Sequence, residues 1–235
     1  MTIELYRGDA YLRECEAILV AVDEKGIRLD RTVFYPRSGG QAGDTGLLET
    51  PVSRIVIVDT IKGETPGEVV HVPAPGQDLA NAIGRRVVAR IDWERRHRHM
   101  RFHTATHLLC AIVPHQTNGC SITNDYARLD FDMVEPLDKA QLEIGLARLV
   151  AEAHDVRTRW VTDEELDSRP ELVRTMSVAP PKGFGRVRLL QIDGVDLQAC
   201  GGTHVANTRE IGAVVVTRIE KKSARSRRVV IAFAA

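Results

Sequence analysis

The sequence predicts an α+β protein: a small N-terminal β-barrel over residues 1–91, then an α+β domain with an antiparallel sheet over residues 92–235. Three observations carry this. Up to residue 91, short segments rich in β-branched residues alternate with Gly, Pro and Asp turns. At Asp92 the apolar spacing changes to that of a helix. Beyond it, helices and strands follow one another without the strict alternation that a parallel sheet requires.

The barrel strands are expected at residues 17–22, 27–34, 53–60, 68–72 and 86–91. Five or six short strands at this spacing close most simply into a barrel, which leaves no open edge. Within them lies Phe34-Tyr-Pro-Arg-Ser-Gly-Gly-Gln-Ala-Gly-Asp-Thr-Gly46, a loop whose four glycines permit tight turns or close approach to a ligand.

From Trp93 to about residue 113, Phe102, Ala105, Leu109 and Ile112 recur at helical steps. They fall within an arc of roughly 80° on a helical wheel, and His103 and His107 lie roughly 140–180° from its centre. The histidines therefore face something other than the main apolar stripe. A strand follows at residues 126–133, a helix at 136–154, and a short helical stretch at 163–176 interrupted by Pro170. Strands are expected at 186–192, 213–219 and 229–233.

Composition excludes several classes. With 43% hydrophobic and 27% charged residues the chain is an ordinary globular sequence. It has no apolar run near the roughly 18 residues of a membrane span, and its N-terminus lacks the apolar stretch of a signal peptide. A cytoplasmic protein with no membrane contact is expected. Cys15, Cys110, Cys120 and Cys200 form no regular disulfide framework. Net charge is zero, yet Arg85, Arg86, Arg90, Arg95, Arg96, Arg98 and Arg101 crowd one stretch. Arg218, Lys221, Lys222, Arg225, Arg227 and Arg228 crowd another. Such clusters are either solvated surface or a phosphate-binding face.

Two short motifs carry chemistry. His103-Thr-Ala-Thr-His107 sets two imidazoles four residues apart, on one face of a helix. Cys200-Gly-Gly-Thr-His204 pairs a thiolate and an imidazole across a glycine turn. Three nitrogens and one sulfur suit tetrahedral Zn2+, in a structural or a catalytic site. No glutamate follows His103, which excludes a protease of the HExxH kind. The cytidine-deaminase pattern is absent as well.

The stretches from His103 to Leu109 and from Cys200 to Val205 resemble the two motifs of the alanyl-tRNA synthetase editing domain, and more closely those of the free-standing AlaX editing proteins. The glycine loop, Arg128-Leu-Asp-Phe131, Glu210-Ile-Gly212, Arg227-Arg228 and Asp196-Leu-Gln-Ala-Cys200 extend the resemblance over nearly the whole chain. Possession of the barrel makes it similar to the medium-length AlaX type. The resemblance implies a zinc-containing editing domain that hydrolyses mischarged tRNA(Ala), Ser-tRNA(Ala) foremost and Gly-tRNA(Ala) next. A synthetase pocket shaped for alanine rejects both poorly, so a second hydrolytic site is the physical remedy.

In this reading His103, His107, Cys200 and His204 hold the metal, and a zinc-bound water attacks the ester or the metal orients it. Thr104 is the candidate hydroxyl for placing the substrate. Gly39, Gly40, Gln41, Arg227 and Arg228 are expected to meet the acceptor end of tRNA(Ala), and Asp130 to orient a ligand histidine. No obligatory protein partner is evident. Two alternatives stay open: a nucleic-acid-binding module with a structural zinc, and editing of another tRNA, such as the products of threonyl-tRNA synthetase.

Overall fold

Alternation of apolar and polar residues closes the first part of the chain into a barrel. In the computed structural model, which describes residues 1–51, 53–77, 83–174 and 185–234, the first strands are β1 (Ile3–Glu4), β2 (Glu14–Asp23), β3 (Gly26–Leu29) and β4 (Arg31–Thr32). Then come β5 (Gly46–Glu49), β6 (Arg54–Lys62), β7 (Val69–Pro73) and β8 (Arg86–Ile91). Six of them form a closed barrel in the order β2-β3-β7-β6-β5-β8, all neighbours antiparallel. Strand β6 shows the cause: Ile55 and Ile57 point into the core and their neighbours out. Leu19, Ile27, Leu29, Phe34 and Leu48 fill the interior and exclude solvent. The expected barrel is present, with β5 as the strand that composition conceals, since it follows directly on the glycine loop.

His71 on β7 is fully buried, with Nε2 2.8 Å from Thr32 Oγ1 and Nδ1 3.1 Å from the Ile27 carbonyl. Burial drives its pKa from 6.5 down to about 4, against the opposing effect of the Ile27 hydrogen bond. Between those pH values the unfolded chain takes up a proton that the folded barrel refuses. Stability is therefore expected to fall by about 3 kcal/mol as pH drops from 6.5 to 4. Unfolding free energies of wild type and His71→Gln, measured across that range, should diverge in slope. Parallel slopes would show that His71 titrates normally in the fold.

Helix α1 (Trp93–Ile112) follows. Clustering of contacts divides the chain into one unit of Met1–Ser38 with Ala42–Arg98 and another of Gly39–Gln41 with His99–Ala235. The division falls within α1, and the tip of the glycine loop packs with the second unit. In the first unit Arg96, one of the clustered arginines, is fully buried beside a fully buried Asp44. Its Nε donates to both Asp44 oxygens at 3.0–3.1 Å, Nη1 to the Ala10 carbonyl at 3.0 Å and Nη2 to the Val33 carbonyl at 2.6 Å. Asp44 also accepts from the Tyr35 amide at 2.7 Å. The aspartate of the glycine loop is thus a structural anchor.

The second unit contains β9 (Thr117–Ile122), β10 (Ala127–Asp132), α2 (Lys139–Ala151), β11 (Val156–Val161), α3 (Asp163–Ser168), β12 (Val187–Ile192), β13 (Asp196–Ala199), β14 (Val214–Ser223) and β15 (Ser226–Phe233). They form a four-stranded antiparallel sheet, β14-β15-β10-β9, and a three-stranded one, β11-β12-β13. Asp138 caps α2 by accepting from the amides of Ala140 and Gln141. The short helical stretch expected to run to residue 176 is α3 and a 3-10 turn ending at Leu172; residues 175–176 lie outside the described part. No helix among the described residues is long and apolar enough to cross a membrane.

Candidate metal centre

Helix α1 departs from its sequence pattern where it matters. From His99 to Cys110 every residue but Arg101 is buried, so the helix is enclosed on all sides and not half-solvated. His103 and His107 are accordingly buried on the face opposite the apolar stripe. Strands β12 and β13 bring Cys200 to them: Cys200 N donates to the Arg188 carbonyl at 3.1 Å. Arg188 Nη1 donates to the carbonyls of Cys200 and Gly202, at 3.0 and 2.8 Å. Gly202 lies against His103, since a Cβ there would stand 2.1 Å from the ring carbon Cε1. Only glycine allows the loop to pass so close.

The potential ligand atoms of His103, His107, Cys200 and His204 lie within 4.8 Å of one another. Cys200 Sγ is 3.5 Å from His103 Nε2 and 3.2 Å from His204 Nε2. Zn–N bonds of about 2.0–2.1 Å and Zn–S of about 2.3 Å in a tetrahedron imply ligand separations of roughly 3.3–3.6 Å. The two Cys200 distances match that spacing and the donor set suits such an ion in chemistry, while the widest pair, at up to 4.8 Å, would draw in on binding.

The other ring nitrogens explain why Nε2 faces the centre. Gln41 Nε2 donates to Thr203 Oγ1 at 2.8 Å, which turns its Oε1 toward His103 Nδ1, 2.8 Å away. The Thr104 hydroxyl donates to the Met100 carbonyl at 2.9 Å, so toward His204 Nδ1, at 3.3 Å, it can only accept. Asp196 Oδ2 accepts from His107 Nδ1 at 2.8 Å and from Gln198 Nε2 at 2.7 Å. Each histidine has a partner on Nδ1 that leaves Nε2 facing the centre, where it can ligate once deprotonated, the usual outer support of a metal ligand.

Electrostatics agree. Burial raises a thiol, yet the adjoining His103 and His204 outweigh it and hold Cys200 well below the ordinary thiol range. Burial and the neighbouring His103 push His204 well below its usual value. Burial opposes charge on His107, but Asp196 and Cys200 raise it to about 9. The cluster thus gathers a thiolate and a proton that a divalent cation would displace on binding.

Several candidates lie elsewhere than expected. Asp130 does not reach a histidine; it grips Arg228 with two bonds of 2.7 Å and Arg128 with one of 2.8 Å. Orientation falls to Gln41, Asp196 and Thr104. Gln41, expected at the acceptor end, is fully buried against His103 and Thr203. Thr104 is fully buried behind His204. Gly40, at φ +87°, presses on β9, where an added Cβ would stand 2.7 Å from the Cys120 carbonyl. Gly39, at φ +57°, has nothing within 4 Å of such an atom. Arg227 is 8% exposed and donates to the carbonyls of Ser223, Ser226 and Val134. The donors of Arg227 and Arg228 therefore serve the fold. Asp196 carried a sequence signal: an acid on the strand that leads into the cysteine loop, four residues before the ligand.

Comparison with known proteins covers the same ground. The family described as threonyl and alanyl tRNA synthetase second additional domain matches residues 187–230. That of tRNA synthetases class II (A) matches residues 9–95. The alanyl-tRNA editing protein AlaX-M of Methanosarcina acetivorans is 36% identical over 97% of both chains. That of Saccharolobus solfataricus is 32% identical over 97% of this chain and 98% of its own. Alanine–tRNA ligase of Ignicoccus hospitalis is 33% identical over 94% of this chain, which corresponds to 24% of the ligase.

Proposed function

The chain belongs to the AlaX family of alanyl-tRNA editing proteins, and from that premise we propose that it hydrolyses the ester of mischarged tRNA(Ala) at a zinc ion held by His103, His107, Cys200 and His204. As a member of the family it is an aminoacyl-tRNA hydrolase. Ser-tRNA(Ala) is the expected substrate and Gly-tRNA(Ala) the second, in the cytoplasm where tRNA is charged. The observation that carries the reading is the convergence of three Nε2 atoms on the Cys200 thiolate, each ring fixed from behind. Zinc supplies Lewis acidity and a fixed positive charge beside the ester.

The chain's own residues do the rest. Gln41, Thr104 and Asp196 hold the imidazoles in the ligating tautomer, so little reorganisation accompanies reaction. Arg188 fixes the backbone of the Cys200–Gly202 turn. Buried surroundings limit water to the open side, where Cys200 is partly exposed. An activated ester asks for modest acceleration, and positioning supplies much of it.

Purified protein should carry close to one zinc per chain by elemental analysis, and the Cys200→Ala, His204→Ala double variant almost none. Wild type should strip Ser-tRNA(Ala) and leave Ala-tRNA(Ala) charged, and the double variant should be at least 100-fold slower. Zinc retained without any deacylation would instead support the nucleic-acid-binding reading with a structural metal. Equal zinc in the double variant would move the metal elsewhere.

A further inference from the structure

Strand β11 stands at an edge of its three-stranded sheet. Four consecutive residues on it, Arg157, Thr158, Arg159 and Trp160, are exposed. Charged side chains are a common guard of an edge against aggregation, but an indole is not. Trp160 leaves 43% of its surface to solvent, the most exposed aromatic residue among those described. The ring is nonetheless held, with the Arg186 guanidinium 4.8 Å from its centroid.

The position of this pair gives it meaning. Trp160 lies opposite Arg188 across β11 and β12, and antiparallel partners project to the same face of a sheet. Arg188 is the residue that clamps the carbonyls of Cys200 and Gly202, and its own carbonyl pairs with the Cys200 amide. From Trp160 to the Cys200 backbone is thus two strand spacings, about 10 Å. That is about the reach of one nucleotide from an ester at the metal cluster. Arg157 is neutralised by Asp155 and Asp193, at 2.7 and 3.1 Å. Arg159 donates to the Gln191 side-chain oxygen at 3.3 Å and projects to the face opposite Trp160, so Arg186 is the cation beside the indole.

We infer that Trp160, backed by Arg186, is a stacking platform for an unpaired base at the 3′ end of the RNA; this rests on the deacylase reading above. An exposed aromatic face with an adjoining arginine is how proteins hold unpaired nucleotides, because every base offers a π-face and every linkage a phosphate. The platform is sequence-tolerant and sets the distance between base and ester. It supplies binding close to the metal, the contribution that Arg227 and Arg228 cannot make while their donors are engaged within the fold.

The chain has two tryptophans, Trp93 and Trp160, so Trp93→Phe leaves Trp160 as the sole indole emitter. Its fluorescence should be quenched saturably by an uncharged single-stranded RNA with the sequence of the tRNA 3′ end. In deacylation of Ser-tRNA(Ala), Trp160→Ala should raise KM by roughly 5- to 150-fold, the range of one base stack. Trp160→Phe should stay within about threefold of wild type, and both should keep zinc and the melting temperature. A flat fluorescence titration, or an alanine variant with wild-type KM, overturns the platform while leaving the deacylase reading intact. A wild-type protein that releases no amino acid from any mischarged tRNA overturns that reading and the platform's ligand with it.

Discussion

Gly202→Ala is expected to remove most of the bound zinc and to slow deacylation at least 100-fold, a loss of about 2.7 kcal/mol of transition-state stabilisation. The cause is steric. The new methyl would stand 2.1 Å from Cε1 and 2.3 Å from Nδ1 of His103, with Gln41 Oε1 a further 3.1 Å contact. The ring cannot yield without breaking its 2.8 Å bond to Gln41. Nor can the loop yield easily, because Arg188 pins the Gly202 carbonyl at 2.8 Å. Gly39→Ala serves as the contrast: its Cβ meets nothing within 4 Å, and only the positive φ of 57° resists. That variant should lose about 1 kcal/mol of stability and keep its metal. Zinc titration and single-turnover deacylation of both variants check the argument. Wild-type zinc affinity and rate in Gly202→Ala would show that the loop stands further from His103.

Asp44→Ala is expected to destabilise the barrel unit by about 3–5 kcal/mol, because it strands the Arg96 guanidinium in a site with no solvent. For a chain of this size the melting temperature should fall by roughly 6–20 °C. The Asp44→Ala, Arg96→Met double variant should recover part of the loss, since removing both charges leaves no unpaired charge; the Ala10 and Val33 carbonyls then lose their donor and the Tyr35 amide its acceptor, which limits recovery. Urea denaturation of the three proteins measures the difference. A single variant that loses less than about 1 kcal/mol would mean that water reaches the guanidinium.

These expectations revise what the glycine loop is for. By composition it is a loop whose glycines permit tight turns or close approach to a ligand. In the structure Asp44 anchors it to Arg96, Gly40 lies against Cys120, and Gln41 holds His103 of the candidate metal cluster. Alanine at Gly40 therefore disturbs packing before it tests any contact with tRNA. Three members of the arginine clusters change meaning in the same way. Arg96 and Arg227 are buried and Arg228 is half-buried, bound to Asp44, to backbone carbonyls and to Asp130.

The sequence by itself determined the α+β class, the barrel and the four side chains that converge, because each rests on a local rule. Period-two apolar residues make barrel strands, and residues four apart share a helix face, as His103 and His107 do. The Cys200-Gly-Gly-Thr-His204 turn likewise announces itself by composition. Strand β9 was not legible: Thr117-Asn-Gly-Cys-Ser-Ile122 is polar and contains an Asn-Gly pair, and it is a strand because β10 supplies its hydrogen bonds. Nor was β11, whose exposed arginines suit only an edge. Only the tertiary structure decided what stands behind each histidine of the cluster. Gln41 and His103 are 62 residues apart, and His107 and Asp196 are 89 apart. Asp130 had the right charge for such a role, but the register of β10 against β15 sets Arg228 opposite it. Pairing over such separations follows from which strands neighbour one another, and a side chain's charge alone does not say which partner it meets.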